Sequence, residues 1–571
     1  MLQSLKNIFK KKSPYKDIDP DEIFLDSQNL PDFNVDQFEG RIEKPISVKT
    51  FVILGFVLAC IGITCLARVW YLQVTSGSIY RTKSETNRLK TVTLFANRGV
   101  ISDRNGEQLA WNDINPEGDD FTIRKYASEI GLSTVLGYVK YPAKDKSGNY
   151  YEKNFIPVDG IEKNYNTQLS GENGTRLTET DVAGHITSQS VLVPAQDGDN
   201  ITLSIDKNIQ TKLYQSMIDY SQRAGYQGGS GVIMNVYTGE LIAMANFPEY
   251  DSNVMADGSD SEKIQGYLSN KNNPFLNRAV AGLYTPGSIM KPYVAIGALT
   301  EHTIDPTKII VSTGSISVPN PYDPSHPSIF KDWKILGPVD MRRALAMSSD
   351  VYFYEVGGGF QNPGGSYQQG LGITNIEKYE RLFGFGAKTG VAVPGEAIGV
   401  TPDPTWKLTN FNGEAWRIGD TYHTAIGQYG VQITPLQAVR AVAAIANSGN
   451  LVTPQLLHAT STDAVVFQQT GIDPSYLQIV KEGMRMAVTA GTVQSLNVSY
   501  VQVSAKSGTA QIGVSKDSVN SWVIGFFPSD HPRYAFALVM ERGPATETLG
   551  ASLVMRPVFD YMNINEPQYF K

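Results

Sequence analysis

A chain of 571 residues exceeds what one simple core can organise and predicts two or three domains. With 41% hydrophobic and 18% charged residues, the composition suits a globular protein that carries some membrane-embedded sequence. A net charge of −7 offers no basic face to nucleic acid. Both cysteines, Cys60 and Cys65, fall inside one apolar run, which excludes a cysteine-built metal site and a disulfide elsewhere in the chain.

In chain order, residues 1–49 read as a tail. Its stretch Asp17 to Glu39 is acidic and broken by Pro20 and Pro31, a composition expected to stay disordered or to order on a partner. The uncharged run from Thr50 to Ala67 would span ~27 Å as a helix. Trp70 and Tyr71 follow it where interfacial aromatics sit, so residues 50–72 form the expected transmembrane anchor. A long polar segment precedes the run and no small-x-small site follows, which predicts a retained anchor and not a cleaved signal. Lys6, Lys10, Lys11, Lys12, Lys16, Arg41, Lys44 and Lys49 lie on its N-terminal side and favour that side as cytoplasmic, with the rest of the chain exported.

Residues 73–205 are expected to form a small β-rich pedestal. Asn97 to Gly106 reads as a strand and a tight turn, and Ile161, Tyr165 and Leu169 mark one face of a short helix closed by Gly171. A boundary falls near 198–206, where the strand Ile201–Asp206 leads into a helix over Lys207–Ala224. From 206 onward, Gly231–Val236 and Glu240–Ala245 flank a Thr238-Gly239 turn as a β-hairpin. Ser521–Phe527 and Arg533–Glu541 add two apolar strands near the end, with helical, Pro/Gly-punctuated sequence between. Strands at both ends of a helical region predict an α+β domain over 206–571, one antiparallel sheet with helices on both sides.

The chemistry centres on Ser288-Ile-Met-Lys291. At i and i+3 on a helix, two side chains share a face, so Lys291 can reach the Ser288 hydroxyl. A serine needs an adjacent base to become a nucleophile, and a lysine whose pKa is lowered can serve. S-x-x-K also occurs at Ser13/Lys16, Ser204/Lys207 and Ser328/Lys331. Pro14 argues against a helix in the first, and the second sits at an expected strand end. Only Ser288 follows a Pro-Gly turn and precedes an apolar core-helix run, Val294 to Leu299.

Two more short motifs follow in order: Ser348-Ser-Asp350 and Lys506-Ser-Gly508. With Pro286-Gly-Ser288 before the first and Gly508-Thr-Ala510 after the last, the chain resembles the penicilloyl-serine transferases, whose motifs are S-x-x-K, S-x-N or S-x-D, and K-[ST]-G. Asn277-Arg-Ala279, Thr434-Pro-Leu-Gln437, Gly491-Thr492 and the Arg98-Gly99…Asp103-Arg-Asn-Gly106 turn extend the likeness to the class B penicillin-binding proteins. The S-x-D form resembles the elongation-type, penicillin-binding protein 2-like, members. Lys388-Thr-Gly390 matches the third motif literally, but its surroundings resemble a family loop with a structural role.

The resemblance implies a peptidoglycan D,D-transpeptidase that β-lactams inhibit, with no cofactor and no metal. Ser288 would attack the carbonyl between two terminal D-alanines, and Lys291 would take its proton. Ser348 and Lys506 would relay a proton to the leaving amine, and the backbone N–H groups of Ser288 and Thr509 would form an oxyanion hole. Ser507, Gly508, Thr509 and Lys506 would hold the substrate carboxylate. Asp350 departs from S-x-N; an ionised aspartate only accepts hydrogen bonds, and it would steady Lys291 or cap local structure. The implied partners are stem peptides, the lipid-linked precursor polymer and a membrane glycosyltransferase of the SEDS (RodA/FtsW-like) type. Division-type transpeptidase, glycan-polymerase activator, carboxypeptidase and β-lactamase stand as alternatives. Two features depart from the family pattern: about fifty residues where relatives carry a larger head subdomain, and the order Gln428-Tyr-Gly430. The six histidines show no metal spacing; His423 falls in a helix near the expected cleft, with a structural role expected. Trp522 is expected in the core and Glu541 at the sheet edge.

Overall fold

A computed structural model describes residues 47–571 apart from 117, 119, 182–184, 321, 322, 324, 362–365, 459–464, 514, 515 and 547–549. The expected tail therefore lies, up to residue 46, outside the described residues. Residues to Leu89 and residues from Lys90 form two compact units.

In the first unit, helix α1 (Val48–Trp70) runs on through a π-type turn at Tyr71–Thr75. Its 23 residues give a rod of ~34 Å, enough for the hydrocarbon core of a bilayer. None of its side chains is buried by protein, so its apolar surface is free for lipid. Thr64 donates its hydroxyl to the Cys60 carbonyl (2.8 Å), which removes a polar group from that surface. A second helix, Gly77–Arg88, follows. It is absent from the sequence reading because Ile79 and Tyr80, its two large apolar residues, make no repeating stripe to detect.

The second unit opens with short strands. Ile101–Ser102 pairs antiparallel with Gln108–Asp113 and parallel with Ile201–Thr202. The turn between the first two depends on Asp103, whose carboxylate accepts from the amides of Asn105, Glu107 and Lys207. Gly174–Thr180 and Ile186–Val193 form an antiparallel hairpin. The helix expected through Ile161, Tyr165 and Leu169 is instead two short turns, Gly160–Asn164 and Asn166–Leu169. The second restarts because the amides of Gln168 and Leu169 both bond the Tyr165 carbonyl. The expected strand Ile201–Asp206 is a strand only over Ile201–Thr202, followed by a single bridge from Leu203 to Leu457. Beyond it Ser204 is drawn inward, donating to the carbonyls of Leu241 and Gln455 (2.9 Å each), and Asp206 caps the next helix.

That helix, α2, spans Lys207–Ala224 between the Asp206 cap and Gly225, whose φ of 77° ends it in the left-handed conformation. The sheet that follows is built from β1 (Gly228–Asn235) and β2 (Leu241–Phe247), joined much later by β3 (Ser504–Ile512), β4 (Ser518–Phe527) and β5 (Tyr534–Pro544). Its order is β2-β1-β5-β4-β3, antiparallel throughout. Side chains alternate between two cores, as strand geometry requires. On β5, Phe536, Leu538 and Met540 pack against α2 and against α8, the C-terminal helix Ser552–Asn565. Ala535, Ala537 and Val539 face the opposite core. Glu541, expected at the sheet edge, belongs instead to β5, the central strand, and accepts from Arg278 Nη2 at 2.8 Å. Apolar runs mark strands but not pairing order, so the sequence could not place β5 between β1 and β4.

Between β2 and β3 the chain supplies the helices that carry the site. They are α3 (Lys291–Thr300), α4 (Met341–Met347), α5 (Asp350–Gly358), α6 (Pro435–Ala446) and α7 (Pro474–Ala490). The Thr434-Pro-Leu-Gln437 run proves to be the start of α6. The Thr434 hydroxyl accepts from the Gln437 amide (3.1 Å), Gln437 Oε1 accepts from the Thr434 amide (3.0 Å), and Pro435 needs no partner for an amide it lacks. All twelve residues of α6 are buried.

Candidate active site

Ser288 does not sit inside α3 but one turn ahead of it, in a 3₁₀ turn over Gly287–Met290 that continues into α3 at Lys291. The turn packs on the outer edge of β3. A Cβ at Gly287 would stand 2.6 Å from the Thr509 carbonyl oxygen, and one at Gly508 would stand 2.6 Å from that of Pro286. Neither position admits a side chain. The glycines of Pro-Gly-Ser and Lys-Ser-Gly thus set the distance between the S-x-x-K turn and the β3 edge. Trp522, fully buried on β4, donates its indole N–H to the Thr285 carbonyl (3.0 Å) and fixes the entry to the turn.

Ser288 is half-buried, whereas Lys291 and Lys506 have no exposed surface. Lys291 Nζ donates to Asp350 Oδ1 (2.6 Å), to the Ser348 carbonyl (2.8 Å) and, at 3.4 Å, to Ser348 Oγ. It also lies 5.6 Å above the Phe353 ring. Lys506 Nζ donates to the same Ser348 Oγ at 2.8 Å and to the Ser507 carbonyl at 2.7 Å. Two lysines from different elements therefore converge on one serine hydroxyl, with Asp350 as the nearby anion. Burial drives the Lys506 pKa well below the lysine range, the positive charge of Lys291 adds to that, and Asp350 opposes it. The surroundings of Lys506 thus favour the neutral over the charged amine at a nitrogen held against Ser348.

Ser348 joins α4 to α5 in a left-handed conformation, φ 57° and ψ 40°. A non-glycine residue held there costs on the order of 1 kcal/mol and persists only where its neighbours fix it. The helix cap expected of Asp350 is made instead by Ser349, whose hydroxyl accepts from the Tyr352 amide (3.2 Å); Asp350 is left to face Lys291.

Of the residues implied for substrate binding, Ser507 is half-buried and shares a hydrogen bond with Thr492 (2.8 Å between hydroxyl oxygens), while Thr509 is exposed. The Thr509 carbonyl accepts from Gln428 Nε2 (3.4 Å) on the side away from β4. The N–H of a strand residue points the same way as its C=O, so the Thr509 amide also faces the turn that carries Ser288. Gln428 and Thr492 were not singled out as site residues by sequence reasoning, although Gly491-Thr492 stood among the pieces that carry the family likeness.

The look-alike motifs lie elsewhere. Thr389 bonds Glu396 through both its amide (2.6 Å) and its hydroxyl (2.5 Å), which closes the Lys388-Thr-Gly390 loop on itself, and Gln437 of α6 holds that loop through the Ala387 carbonyl. Lys207 pairs with Glu129 (3.0 Å). Ser328 and Lys331 are exposed on a surface strand. His423 lies on the helix Ile418–Ala425 with its ring against Phe330 and keeps an exposed side chain. Tyr429 adopts φ 54° and packs among Trp406, Phe411 and Trp416, so the Gln428-Tyr-Gly430 order places an aromatic ring in a cluster beside the site.

Comparison with known proteins gives a consistent picture. A family profile described as the penicillin binding protein transpeptidase domain matches residues 229–560, and one described as the penicillin-binding protein dimerisation domain matches residues 119–203. The peptidoglycan D,D-transpeptidase MrdA of Acinetobacter baumannii is 27% identical over 614 residues, covering 90% of this chain and 87% of that protein. MrdA of Escherichia coli K12 is 27% identical over 606 residues, covering 88% and 92%. Penicillin-binding protein 2 of Helicobacter pylori, solved in complex with MreC, superposes with a TM-score of 0.67 at 26% identity, covering 84% of this chain and 99% of that one. That of Pseudomonas aeruginosa, solved with WCK 5153, gives 0.68 at 26%, covering 84% and 98%.

Proposed function

The chain belongs to the penicillin-binding protein transpeptidase family, and from that premise we propose that it is a membrane-anchored serine D,D-transpeptidase that cross-links peptidoglycan stem peptides during wall elongation. The convergence of Lys291 and Lys506 on Ser348 beside Asp350 is the observation that carries this reading. Ser288 Oγ attacks the carbonyl of the penultimate D-alanine as Lys291 takes its proton. The tetrahedral oxyanion is met by the amides of Ser288 and Thr509; one such donor is worth about 3–4 kcal/mol in comparable enzymes. When the C–N bond breaks, the proton that Lys291 took returns to Ser348 Oγ, which passes its own to the departing D-alanine amine, while Lys506, donating to the same oxygen, holds it in the relay. An amine of a second stem peptide then attacks the ester, restores the Ser288 hydroxyl and leaves the cross-link. Ser507, Thr509 and Lys506 hold the substrate carboxylate, with Gly508 keeping the strand close to the serine turn. A β-lactam would enter the same path and stop at the acyl-enzyme.

The S-x-D form and the MrdA relatives favour elongation over division. We take residues 50–72 as a single-pass plasma-membrane anchor with the N-terminus cytoplasmic, 73–205 as the pedestal and 206–571 as the transpeptidase domain. A SEDS-type glycosyltransferase is the expected membrane partner. A fold relative described as part of a peptidoglycan synthase complex that coordinates polymerization and crosslinking supports a pairing of this kind.

Fluorescent penicillin applied to membranes carrying wild type and Ser288→Ala tests the reading. A labelled band at 62.6 kDa that disappears in the variant is expected. Persistent labelling of the variant would remove Ser288 from the role, and rapid turnover of the label would replace a transpeptidase with a hydrolase.

A further inference from the structure

Ser348 lies between two fixed residues, and both are fixed by the same short segment. This segment, Lys331–Trp333, ends the hairpin formed by Ser315–Val318 and Ser328–Lys331, sixteen residues before the loop it holds. Asp332 is anchored by its own amide, which donates to the Gly314 carbonyl (2.8 Å). Its Oδ2 accepts from the Ser349 hydroxyl (2.8 Å), the Val351 amide (3.1 Å) and the buried Ser312 hydroxyl (3.0 Å). Its Oδ1 accepts from the Trp333 amide (2.9 Å), and the Trp333 indole N–H reaches back to the Met347 carbonyl (3.1 Å). Met347 is thus held on one side of Ser348, and Ser349 and Val351 on the other.

A residue in the left-handed region needs such restraint, because its backbone relaxes to a commoner conformation once its neighbours are released. Rotation at Ser348 would carry its hydroxyl away from Lys506 and the Asp350 carboxylate away from Lys291. A carboxylate suits the task, since it offers only acceptors and takes several donors at once. Neither Asp332 nor Trp333 contacts Lys291 or Lys506.

We propose that Asp332 is a positioning residue of the transpeptidase reaction: it holds Ser349 and Val351 so that Ser348 and Asp350 meet the two lysines, and it touches no reacting atom itself. The proposal rests on the proton-relay role given above to Ser348 and Lys506.

The test uses the full chain in detergent, with second-order rate constants of acylation by fluorescent penicillin measured across pH and thermal unfolding followed in parallel. Asp332→Ala should acylate at least tenfold more slowly per folded molecule, with the midpoint of its pH profile displaced as the contact between Lys506 and Ser348 loosens. Asp332→Asn keeps one oxygen for Ser349 and Val351 and should fall between, threefold to tenfold below wild type. Asp332→Ala acylating within twofold of wild type at an unchanged pH midpoint overturns the proposal. So does Asp332→Asn performing no better than Asp332→Ala. Should Asp332→Ala fail to fold, Asp332→Asn decides alone: a wild-type rate and midpoint overturn the proposal. Wild type that takes no label overturns the reading of Ser288 and Ser348 and this proposal with it. Wild type that labels, with Asp332→Ala equal to it, overturns only the role of Asp332.

Discussion

The pedestal and the transpeptidase domain each bury two basic side chains near one carboxylate, and they use that arrangement differently. In the pedestal, Arg98 Nε and Arg124 Nε grip opposite oxygens of Glu162 at 2.5 and 2.7 Å, and all three side chains are at most 1% exposed. Arg98 also donates to the Glu162 carbonyl, and Tyr126 donates its hydroxyl to Glu162 Oε1. Arginine keeps its proton through the ordinary pH range and offers a flat fork of donors, so the cluster can only hold geometry. It joins the family-like turn around Arg98 to the Gly160–Asn164 turn. In the transpeptidase domain the basic residues are lysines, Asp350 keeps 18% of its side chain exposed, and a serine hydroxyl stands between the two amines. Lysine gives up its proton when its surroundings favour the neutral form, and those around Lys506 do so. The choice of cation and the access of solvent separate a structural cluster from a reactive one.

Exchanging the cation is the strongest way to break this comparison. Lys291→Arg keeps a hydrogen-bond donor for Asp350 but removes the group that can take a proton. Acylation by penicillin should fall by about 10²–10⁴, the usual span for a general base, while Asp350 keeps a partner. Acylation rates normalised to folded protein check this; a variant within threefold of wild type would mean that Lys291 serves Ser348 and Asp350 as structure only.

The converse change belongs in the pedestal. Glu162→Gln leaves two buried guanidinium groups facing a neutral amide, a loss expected to destabilise the pedestal by about 3–5 kcal/mol. Thermal unfolding should show the loss, and the molecules that remain folded should acylate at the wild-type rate. Slowed acylation in the folded fraction would show that the pedestal cluster reaches into the chemistry and is not confined to holding its own turns.

The two clusters also differ in how far the sequence discloses them. Ser288, Lys291, Ser348, Asp350 and Lys506 fall in short contiguous motifs, because each element brings its own reactive group and the spacing within it is local. The helix Lys207–Ala224 is legible for the same reason: its apolar period is a local signal. Asp332 is not legible. It lies on a surface hairpin with no pattern around it, and only the folded chain brings it to Ser349. The helix Gly77–Arg88 left no trace because Ile79 and Tyr80 make no repeating apolar face, and the central place of β5 was hidden because strand order is settled by long-range pairing. Arg98 was visible as part of a turn, but its partners Glu162 and Arg124 could be assigned only once the pedestal had closed around them.

A third buried acid sharpens the comparison by forming no ion pair among the described residues. Glu380, on the helix Ile373–Leu382, is fully buried, and neither carboxylate oxygen has a hydrogen-bond partner among the described residues. Burial pushes its pKa up from 4.5 to about 8. The folded protein therefore keeps this proton at pH values where the unfolded chain has released it, and stability must fall as pH rises from about 4.5 toward 8. One pKa unit corresponds to about 1.4 kcal/mol, so Glu380 alone should remove about 2 kcal/mol between pH 6 and pH 8. Glu249 and Glu355, both raised to about 7 by burial, act in the same direction, so the total slope does not isolate Glu380. The difference between wild type and Glu380→Gln does, because the amide cannot ionise. Unfolding midpoints of the two should converge near pH 5 and separate toward pH 8, with the variant the more stable. Parallel curves would mean that Glu380 has a partner in solution that neutralises it, which would place it with Glu162 among the compensated acids.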